Sequence, residues 1–340
     1  MIKKAIQALV SGKSLTMGEA GDVMKEIMEG QVTPAQFGAL VTALRIKGET
    51  VEEIAGFARI MRAKAVPVKG SGTVVDTCGT GGDASGTFNI STAAAFVAAG
   101  VGLKVAKHGN RAASSQCGSA DVVEALGVRL DLTAEDVGRC LEEVGVGFMF
   151  APTFHPAMKY AAVPRREISI RTVFNILGPL TNPAGARAQV LGVADGALVE
   201  KLAQVLNSLD CHHALVVHGE DGLDEITVTG ESRVCELIDG RIVKYTVSSE
   251  ELGLCRASYG SLKGGMVVEN AKILCDVLGG KLGPKLDVVL INAAAVLMAG
   301  DKVASLQEGI DMARKSIDSG QALAKLQQLI TFTQALPQRS

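Results

Sequence analysis

Two polar, glycine-rich loops alternate with apolar segments between Asp76 and Gly127, and this alternation restricts the folds open to the chain. Short apolar runs at 73–76 and 103–106 predict strands, and the segments 91–99 and 119–126 predict helices. A strand, a loop and a helix repeated in this order are typical of a parallel sheet with ligand-binding loops at the carboxyl ends of its strands. We therefore expect both polar loops at one edge of an α/β sheet.

The first loop, residues 78–91, contains glycines 79, 81, 82 and 86 among hydroxyl, amide and carboxylate side chains. Glycine lets a backbone approach a ligand closely, and the start of the following helix attracts anions. The loop does not match GxGxxG, and it is not a P-loop, because no Lys followed by Ser or Thr comes after the glycines. Such a loop alone is a structural turn in roughly half of cases. The adjoining Asn89–Thr92 favours binding, although Asn89 also suits helix capping.

The second loop, residues 107–119, begins with Lys107, His108, Asn110 and Arg111 directly after a predicted strand. Arginine can hold a phosphate or carboxylate with two parallel hydrogen bonds, and lysine offers a compact positive charge. His108 suits either a substrate contact or a structural hydrogen bond. Together the two loops predict a site for an anionic, phosphorylated ligand.

An acidic pair, Asp224–Glu225, lies in a glycine-bracketed loop after a predicted strand at 214–218. Mg²⁺ favours one or two carboxylates together with phosphate and water oxygens, so this pair beside a phosphate site predicts magnesium binding. Taken alone, such a pair is usually a solvated turn. His212 and His213 are interpreted as surface or loop residues.

The first seventy of the 340 residues predict helices only. Thr16 with Glu19, Thr33 with Gln36 and Thr50 with Glu53 match the capping-box pattern. A linker at 66–72 precedes the strand–helix alternation, which predicts a small all-α domain at 1–70 and a larger α/β domain at 71–340 with a mostly parallel sheet. A cover for a cleft and a dimerisation surface remain open as roles for the small domain.

Later segments complete the predicted α/β domain. Strands are expected at 146–150 and 189–193, and antiparallel strands at 226–229, 234–238 and 242–247. The segment 175–183 contains two X-Pro steps and a glycine, which predict a rigid, non-helical loop. Residues from 264 onward predict helices that close the domain.

Composition excludes several classes of function. The net charge of −2 and 4% aromatic content argue against a nucleic-acid partner. The seven cysteines are scattered, which indicates reduced thiols rather than disulfides or a zinc site. Asp287 and Asn292 interrupt the best candidate for a membrane span, and the N-terminus does not resemble a signal peptide. We expect a cytoplasmic protein without a membrane partner.

The motifs DTCGTGGD, NIST, KHGNR, SSxxGSAD and NILGPLTNP, followed by the acidic pair, occur in an order that resembles the anthranilate phosphoribosyltransferase family over essentially the whole chain. The resemblance implies the transfer of the phosphoribosyl group of phosphoribosyl pyrophosphate (PRPP) to the amine of anthranilate, in tryptophan biosynthesis. It also implies a cleft between the two domains, helices near 155–180 packed against the small domain, and a homodimer formed through the small domains.

The resemblance implies roles for individual residues. Lys107, Asp224 and Glu225 would be catalytic, and two Mg²⁺ ions would be held by Ser91, Asp224 and Glu225. Anthranilate would contact Gly79, His108, Asn110, Arg165 and Gly178. The residues implied to bind PRPP are Gly79, Gly82, Asp83, Thr87, Asn89, Ile90, Ser91, Thr92, Lys107, Ser115 and Ser119.

The implied chemistry requires stabilisation of negative charge on the leaving pyrophosphate, a task suited to Mg²⁺ and Lys107. The residues indicate no required general base, because an aromatic amine is already neutral at pH 7. Two other functions compete with this one: a nucleoside phosphorylase with a similar build, and a non-catalytic relative that binds nucleic acid.

Overall fold

The computed structural model describes residues 1–112 and 116–337, so the predicted PRPP ligand Ser115 lies outside the described residues. The chain begins with four helices: α1 (Ile2–Val10), α2 (Met17–Met28), α3 (Pro34–Lys47) and α4 (Val51–Lys64). The three predicted capping boxes are present at the starts of α2, α3 and α4. Each threonine hydroxyl accepts a backbone N–H three residues later, which satisfies a donor that the helix itself leaves unpaired.

A seven-stranded sheet forms the centre of the described part of the chain. Its strands are β1 (Val74–Gly79), β2 (Lys104–Gly109), β3 (Val146–Phe150), β4 (Ala188–Gly192), β5 (His213–Gly219), β6 (Glu231–Ile238) and β7 (Arg241–Ser248). The order is β3-β2-β1-β4-β5-β6-β7. The first five strands pair in parallel, and β6 and β7 add an antiparallel edge. The predicted α/β class with a mostly parallel sheet is confirmed.

Helices cover both faces of this sheet. They are α5 (Ile90–Gly100), α6 (Ser119–Ala125), α7 (Ala134–Glu143), α8 (Ala151–Phe154), α9 (Lys159–Ile168), α10 (Phe174–Leu177), α11 (Val199–Ser208), α12 (Val267–Leu278), α13 (Pro284–Ala299), α14 (Leu306–Asp318) and α15 (Gln321–Ala335). Side chains alternate between two cores, as strand geometry requires. Val190 and Leu215 join the core that contains α5 and α13. Leu191 and Val216 join the core shared with α1–α4 and α11.

The second core extends well beyond the first seventy residues. It includes Ala161 of α9, Phe174 of α10 and Leu202 of α11. The rings of Phe37 and Phe174 pack with their centroids 5.0 Å apart. Arg62 of α4 also donates to the backbone oxygen of Leu180 at 2.7 Å. The helical segment is therefore packed directly on the α/β half, and the division into 1–70 and 71–340 remains a prediction.

Two local predictions were wrong. Residues 226–229 do not form a strand, because side chains take the place of a strand neighbour: Asn292 accepts the N–H of Ile226, and Ser232 accepts that of Thr227. The segment 175–183 is partly helical, with α10 followed by a 3₁₀ turn at Gly178–Leu180. Pro179 fits that turn because the first residues of a helix need no N–H donor. Within the described residues, no helix is both long enough and apolar enough to cross a bilayer.

Candidate functional site

The site lies at the carboxyl ends of three strands in the parallel part of the sheet. β1 ends at Gly79, β2 at Gly109 and β5 at Gly219, and the following loops lead to α5, α6 and β6. Because these strands are parallel, their carboxyl ends meet at one edge of the sheet. The predicted convergence of the polar loops thus follows from the observed sheet. The second loop begins later than expected, at Asn110, because Lys107 and His108 belong to β2.

The glycine loop and the acidic loop touch directly. The backbone N–H of Gly81 donates to Oδ2 of Asp224 at 2.7 Å. A Cβ atom at Gly79 would collide with the Asp224 carboxylate, and one at Gly192 would collide with the Asp224 backbone. The glycines at 79 and 192 therefore make room for Asp224, which sequence patterns had not indicated.

Burial and mutual repulsion disfavour the charged forms of the two acids Asp224 and Glu225. Burial, reinforced by the nearby charge of Asp83, raises the pKa of Asp224 to about 6. Burial also raises the pKa of Glu225 well above its usual range, with further contributions from Asp224 and Asp83. The backbone N–H of Ser91 donates to Oε1 of Glu225 at 3.3 Å. A cation would relieve this repulsion, so the donor set fits a hard divalent ion.

Asp224, Glu225 and Ser91 alone do not supply enough ligands for a divalent ion. Among the described residues, no group of three or more His, Cys, Asp or Glu side chains is arranged to hold a metal. Mg²⁺ commonly keeps waters and binds substrate phosphate oxygens in addition to one or two carboxylates. Asp224, Glu225 and the hydroxyl of Ser91 are consistent with that mode of binding.

Lys107 lies beneath the glycine loop. Its side chain is buried, and Nζ donates to the backbone oxygen of Thr77 at 2.6 Å and to Oγ of Ser91 at 3.3 Å. Burial lowers the pKa of Lys107, while the charge of the fully buried Asp76 opposes this change. The ammonium group is thus placed between the end of β1 and the start of α5.

The Asn89–Thr92 segment joins the two polar loops. Asn89 does not cap α5 with its side chain; Nδ2 donates instead to the backbone oxygen of Cys117 at 3.2 Å. The hydroxyls of Thr87 and Ser85 lie 3.2 Å apart. Thr92 Oγ1 is buried without a hydrogen-bond partner. Ile90 is completely buried in the core, and its backbone N–H donates to the oxygen of Phe88 at 2.8 Å.

His108 offers an uncharged polar group. Burial, and then the neighbouring His155, lower the pKa of His108 to about 3, so its ring is neutral at pH 7. The two rings pack with their centroids 5.0 Å apart. A hydrogen bond with the Gly178 backbone partly opposes the pKa change, and Nε2 is buried without a partner. Two of the residues implied for anthranilate, His108 and Gly178, are therefore in contact.

Asn110 and Ser119 lie together at the second loop. The backbone oxygen of Asn110 accepts from the backbone N–H of Ala120 at 3.1 Å and lies 3.5 Å from Oγ of Ser119. Arg111 is turned toward α6, where it pairs with Asp121 at 3.0 Å and with Glu124 at 2.6 Å. Its charge is thus neutralised by α6 rather than directed at the glycine loop.

Arg165 is the predicted site residue that stands apart. Nη2 donates to the backbone oxygen of Phe174 at 3.3 Å, and the guanidinium lies 5.6 Å from the centre of that ring. Burial lowers the pKa of Arg165. The hydrogen bonds of the described residues do not connect Arg165 with Gly79 or Asn110.

Sequence patterns missed two residues that shape the site. Arg171 donates from Nη2 to the backbone oxygen of Gly81 at 2.8 Å. Asn292 binds the peptide of Ile226, the residue after Glu225. The sequence does show a third arginine in the segment 165–171 and a single asparagine in an apolar helix. Neither feature indicates which group the side chain would bind.

The interpretation of His212 and His213 was wrong in part. His213 is buried, and its two ring nitrogens lie 2.7 Å from Asp301 and 3.0 Å from Glu236. His212 lies between Asp239 and Asp301 in the same way. These contacts join β5, the β6–β7 turn and the segment after α13. Asp301 is 88 residues from His213 in sequence, so the sequence alone did not indicate this partner.

Two sequence profiles of known families match this chain. Residues 3–65 match the helical bundle domain of a glycosyl transferase family, and residues 71–323 match the α/β domain of that family. An anthranilate phosphoribosyltransferase from Dehalococcoides mccartyi is 58% identical over 338 residues, which cover 99% of both chains.

Solved structures agree with these matches. The crystal structure of anthranilate phosphoribosyltransferase from Thermus thermophilus superposes with a TM-score of 0.93 at 46% identity, covering 97% of this chain and 99% of that one. The enzyme from Saccharomyces cerevisiae, in complex with PRPP and Mg, gives 0.91 at 28% identity and covers 98% of both chains. The chain therefore belongs to the anthranilate phosphoribosyltransferase family, the pentosyltransferases of tryptophan biosynthesis.

Proposed function

We propose that the site at the carboxyl ends of β1, β2 and β5 transfers the phosphoribosyl group of PRPP to the amine of anthranilate, giving N-(5-phosphoribosyl)anthranilate and pyrophosphate. The observation that carries the proposal is the hydrogen bond from the Gly81 N–H to Asp224. It joins a glycine loop suited to phosphate with an acidic pair suited to Mg²⁺, which is the combination a diphosphate substrate requires.

PRPP is proposed to lie along the first loop and the start of α5. The backbone N–H groups of Gly82 and Asp83 would face its phosphates, since those of Thr80 and Gly81 already donate to Gly192 and Asp224. The glycines leave no side chain between the backbone and a ligand. Lys107 supports the same region from below, through Thr77 and Ser91. The full proposed set is Gly79, Gly82, Asp83, Thr87, Asn89, Ile90, Ser91, Thr92, Lys107 and Ser119.

We propose that two magnesium ions bind here, held by Ser91, Asp224 and Glu225. The Saccharomyces cerevisiae relative that binds PRPP and Mg supports the metal, and the repulsion among Asp83, Asp224 and Glu225 gives the physical reason for it. When bound, magnesium would supply positive charge to the diphosphate. Lys107 would add a fixed positive charge on the same side, where charge grows as pyrophosphate leaves.

Anthranilate is proposed to bind near His108, Asn110 and Gly178, with Gly79 at the border to PRPP. His108 is neutral and has an unpartnered ring nitrogen, so it can take part in a hydrogen bond without adding charge. Arg165 suits the anthranilate carboxylate, which it can hold with two parallel hydrogen bonds. This role requires its guanidinium to turn from Phe174 toward this site.

We also propose that the chain is divided into domains at 1–70 and 71–340 and that two copies form a homodimer through α1–α4 of the first domain. The proposed location is the cytoplasm. The helical segment exposes Val10 and Ile46 as large apolar side chains, with exposed fractions of 73% and 82%. Exposed apolar side chains mark an interaction surface where they form one continuous patch, so the dimer would bring Val10 and Ile46 into such a patch. Light scattering of the purified chain would give twice the monomer mass.

One assay tests the reaction. The chain is mixed with anthranilate, PRPP and MgCl₂, and the fluorescence of anthranilate is followed with time. The expected result is a loss of fluorescence that requires both PRPP and magnesium. Unchanged anthranilate, together with cleavage of a nucleoside by inorganic phosphate, would assign the site to a nucleoside phosphorylase instead.

A further inference from the structure

We propose that Arg171 is a positioning residue for PRPP, which fixes the turn at Gly81–Gly82 from the side opposite Asp224. This role rests on the proposed function of the glycine loop. Arg171 would add a PRPP-positioning residue to the segment 165–171, which also carries Arg165, the residue proposed to contact anthranilate.

The contact between Arg171 and the glycine loop is close and specific. Nη2 donates to the backbone oxygen of Gly81 at 2.8 Å. The rest of the guanidinium lies directly over Gly82, where a Cβ atom would overlap Nη1. Arg171 and Gly81 are 90 residues apart in sequence, so this contact connects two separate segments.

Gly81 is held by two charged side chains of opposite sign. Its N–H donates to the Asp224 carboxylate at 2.7 Å, and its oxygen accepts from Arg171. Gly81 and Gly82 both adopt positive φ, 65° and 74°. Because glycine is conformationally free, contacts from other segments are needed to hold this loop in one geometry.

The direction of the Gly81–Gly82 peptide follows from this contact. A trans peptide points its oxygen and its N–H in opposite directions, so the Gly82 N–H points away from Arg171. That N–H donates to no partner in the described part of the chain. Fixing the Gly81 oxygen therefore presents an unpaired donor on the other side of the loop, where an anionic phosphate can accept it.

The segment that carries Arg171 is itself well fixed. α9 ends at Ile168, and the next residue, Ser169, adopts the left-handed conformation with φ of 53°. On the other side, the N–H of Thr172 donates to Oδ1 of Asn175 at 2.9 Å. Hydrogen bonds thus hold the backbone on both sides of Arg171, since the hydroxyl of Ser169 also donates to the backbone oxygen of Arg166 at 2.8 Å.

Arg171→Ala and Arg171→Lys test this role, with Arg166→Ala as a matched control on the exposed side of α9. Loss of a charge-assisted hydrogen bond predicts that Arg171→Ala raises the KM for PRPP about tenfold or more, while the KM for anthranilate changes less. Arg171→Lys should recover part of the loss, because lysine can donate to Gly81 but lacks the planar fork over Gly82. Arg166→Ala should match the unmodified chain.

Thermal unfolding without substrates separates positioning from folding. The proposal requires a Tm for Arg171→Ala close to that of the unmodified chain. It is overturned if the KM for PRPP stays within about twofold, or if both KM values rise equally while Tm falls. The unmodified chain is measured in parallel, so an absence of anthranilate consumption there would contradict the proposed function itself.

Discussion

The carboxamide of Asn292 binds both polar groups of the Ile226 peptide. Oδ1 accepts the N–H of Ile226 at 3.0 Å, and Nδ2 donates to its oxygen at 2.8 Å. Nδ2 also donates to the oxygen of Val288, one turn earlier in α13. Because Ile226 directly follows Glu225, a helix in the core anchors the acidic pair that is proposed to hold magnesium.

Asn292→Ala should therefore reduce both stability and the response to magnesium. The substitution leaves two buried peptide groups unpaired, each at a cost of about 1–3 kcal/mol in the free energy of unfolding. Chemical denaturation measures that cost, and a magnesium titration of the activity measures the displacement of Glu225.

Ser316→Ala is the control for this prediction, since Ser316 is also buried and donates to the oxygen of Val97 at 3.0 Å. It should lower stability without changing the magnesium concentration that gives half-maximal activity. The same magnesium dependence for Asn292→Ala and Ser316→Ala would contradict the anchoring role.

Gly192→Ala should disturb the acidic pair more directly. A Cβ atom at this position would collide with the backbone of Asp224, which cannot turn aside as a flexible side chain can. Overpacking of this kind typically costs about 1–3 kcal/mol, and here it also moves a proposed metal ligand. We expect a lower Tm and reduced kcat.

Gly18→Ala is the matched control for Gly192→Ala, because a Cβ atom there meets no atom within 4 Å and Gly18 lies inside α2. Alanine favours a helix over glycine, so this change should leave activity intact and raise stability slightly. Normal activity in Gly192→Ala would show that Asp224 tolerates displacement.

These relationships show where sequence reasoning succeeded. The capping boxes at Thr16, Thr33 and Thr50 involve partners three residues away, so the sequence pattern alone specifies them. The convergence of the polar loops was also predictable, because parallel strands bring their carboxyl ends to one edge. The resemblance to the family supplied the functional class and the residues proposed to bind each substrate.

Long-range contacts escaped prediction for a physical reason. The partners of Arg171 and Asn292 lie 90 and 66 residues away, and each partner is a backbone group that every residue possesses. A sequence cannot indicate which peptide a side chain will bind. The wrong strand at 226–229 has the same origin, since Asn292 and Ser232 supply the hydrogen bonds that a neighbouring strand would otherwise make.

Lys107→Ala should lower kcat strongly. Removing one preorganised charge that faces a leaving anion typically costs about 10²–10³-fold in kcat. The matched control is Lys104→Ala on the same strand, where the ammonium is partly exposed and paired with Glu142. Steady-state kinetics should show near-normal turnover for Lys104→Ala, and equal effects of both substitutions would remove Lys107 from the proposed mechanism.

Removal of divalent metal should abolish turnover. The proposed donors are Asp224 and Glu225 together with substrate oxygens, so EDTA should stop anthranilate consumption and added MgCl₂ should restore it. Glu225→Gln should raise the magnesium concentration required by about tenfold or more. Glu220→Gln in the same loop is the control, because that carboxylate faces Arg233 at 3.6 Å. Full activity in EDTA would contradict the metal proposal.

The His213 cluster should make stability depend on pH. Each ring nitrogen of His213 lies beside a carboxylate, Asp301 on one side and Glu236 on the other, and a neutral imidazole has only one N–H to donate. Burial, the largest single effect, lowers the pKa of His213, but Glu236 and Asp301 together raise it above its usual value. His212 and Asp239 extend the same chain of contacts.

Since the folded-state pKa of His213 is raised, its stabilisation is complete below the unfolded value of about 6.5 and is lost as pH rises through the folded value. The Tm difference between the unmodified chain and His213→Gln should therefore be large near pH 6 and shrink toward pH 9. In the control His218→Gln, the lost partner is the neutral backbone oxygen of Val193, at 2.8 Å, so no such trend is expected. A Tm difference for His213→Gln that grows as pH rises would show that the carboxylates do not hold a protonated imidazole.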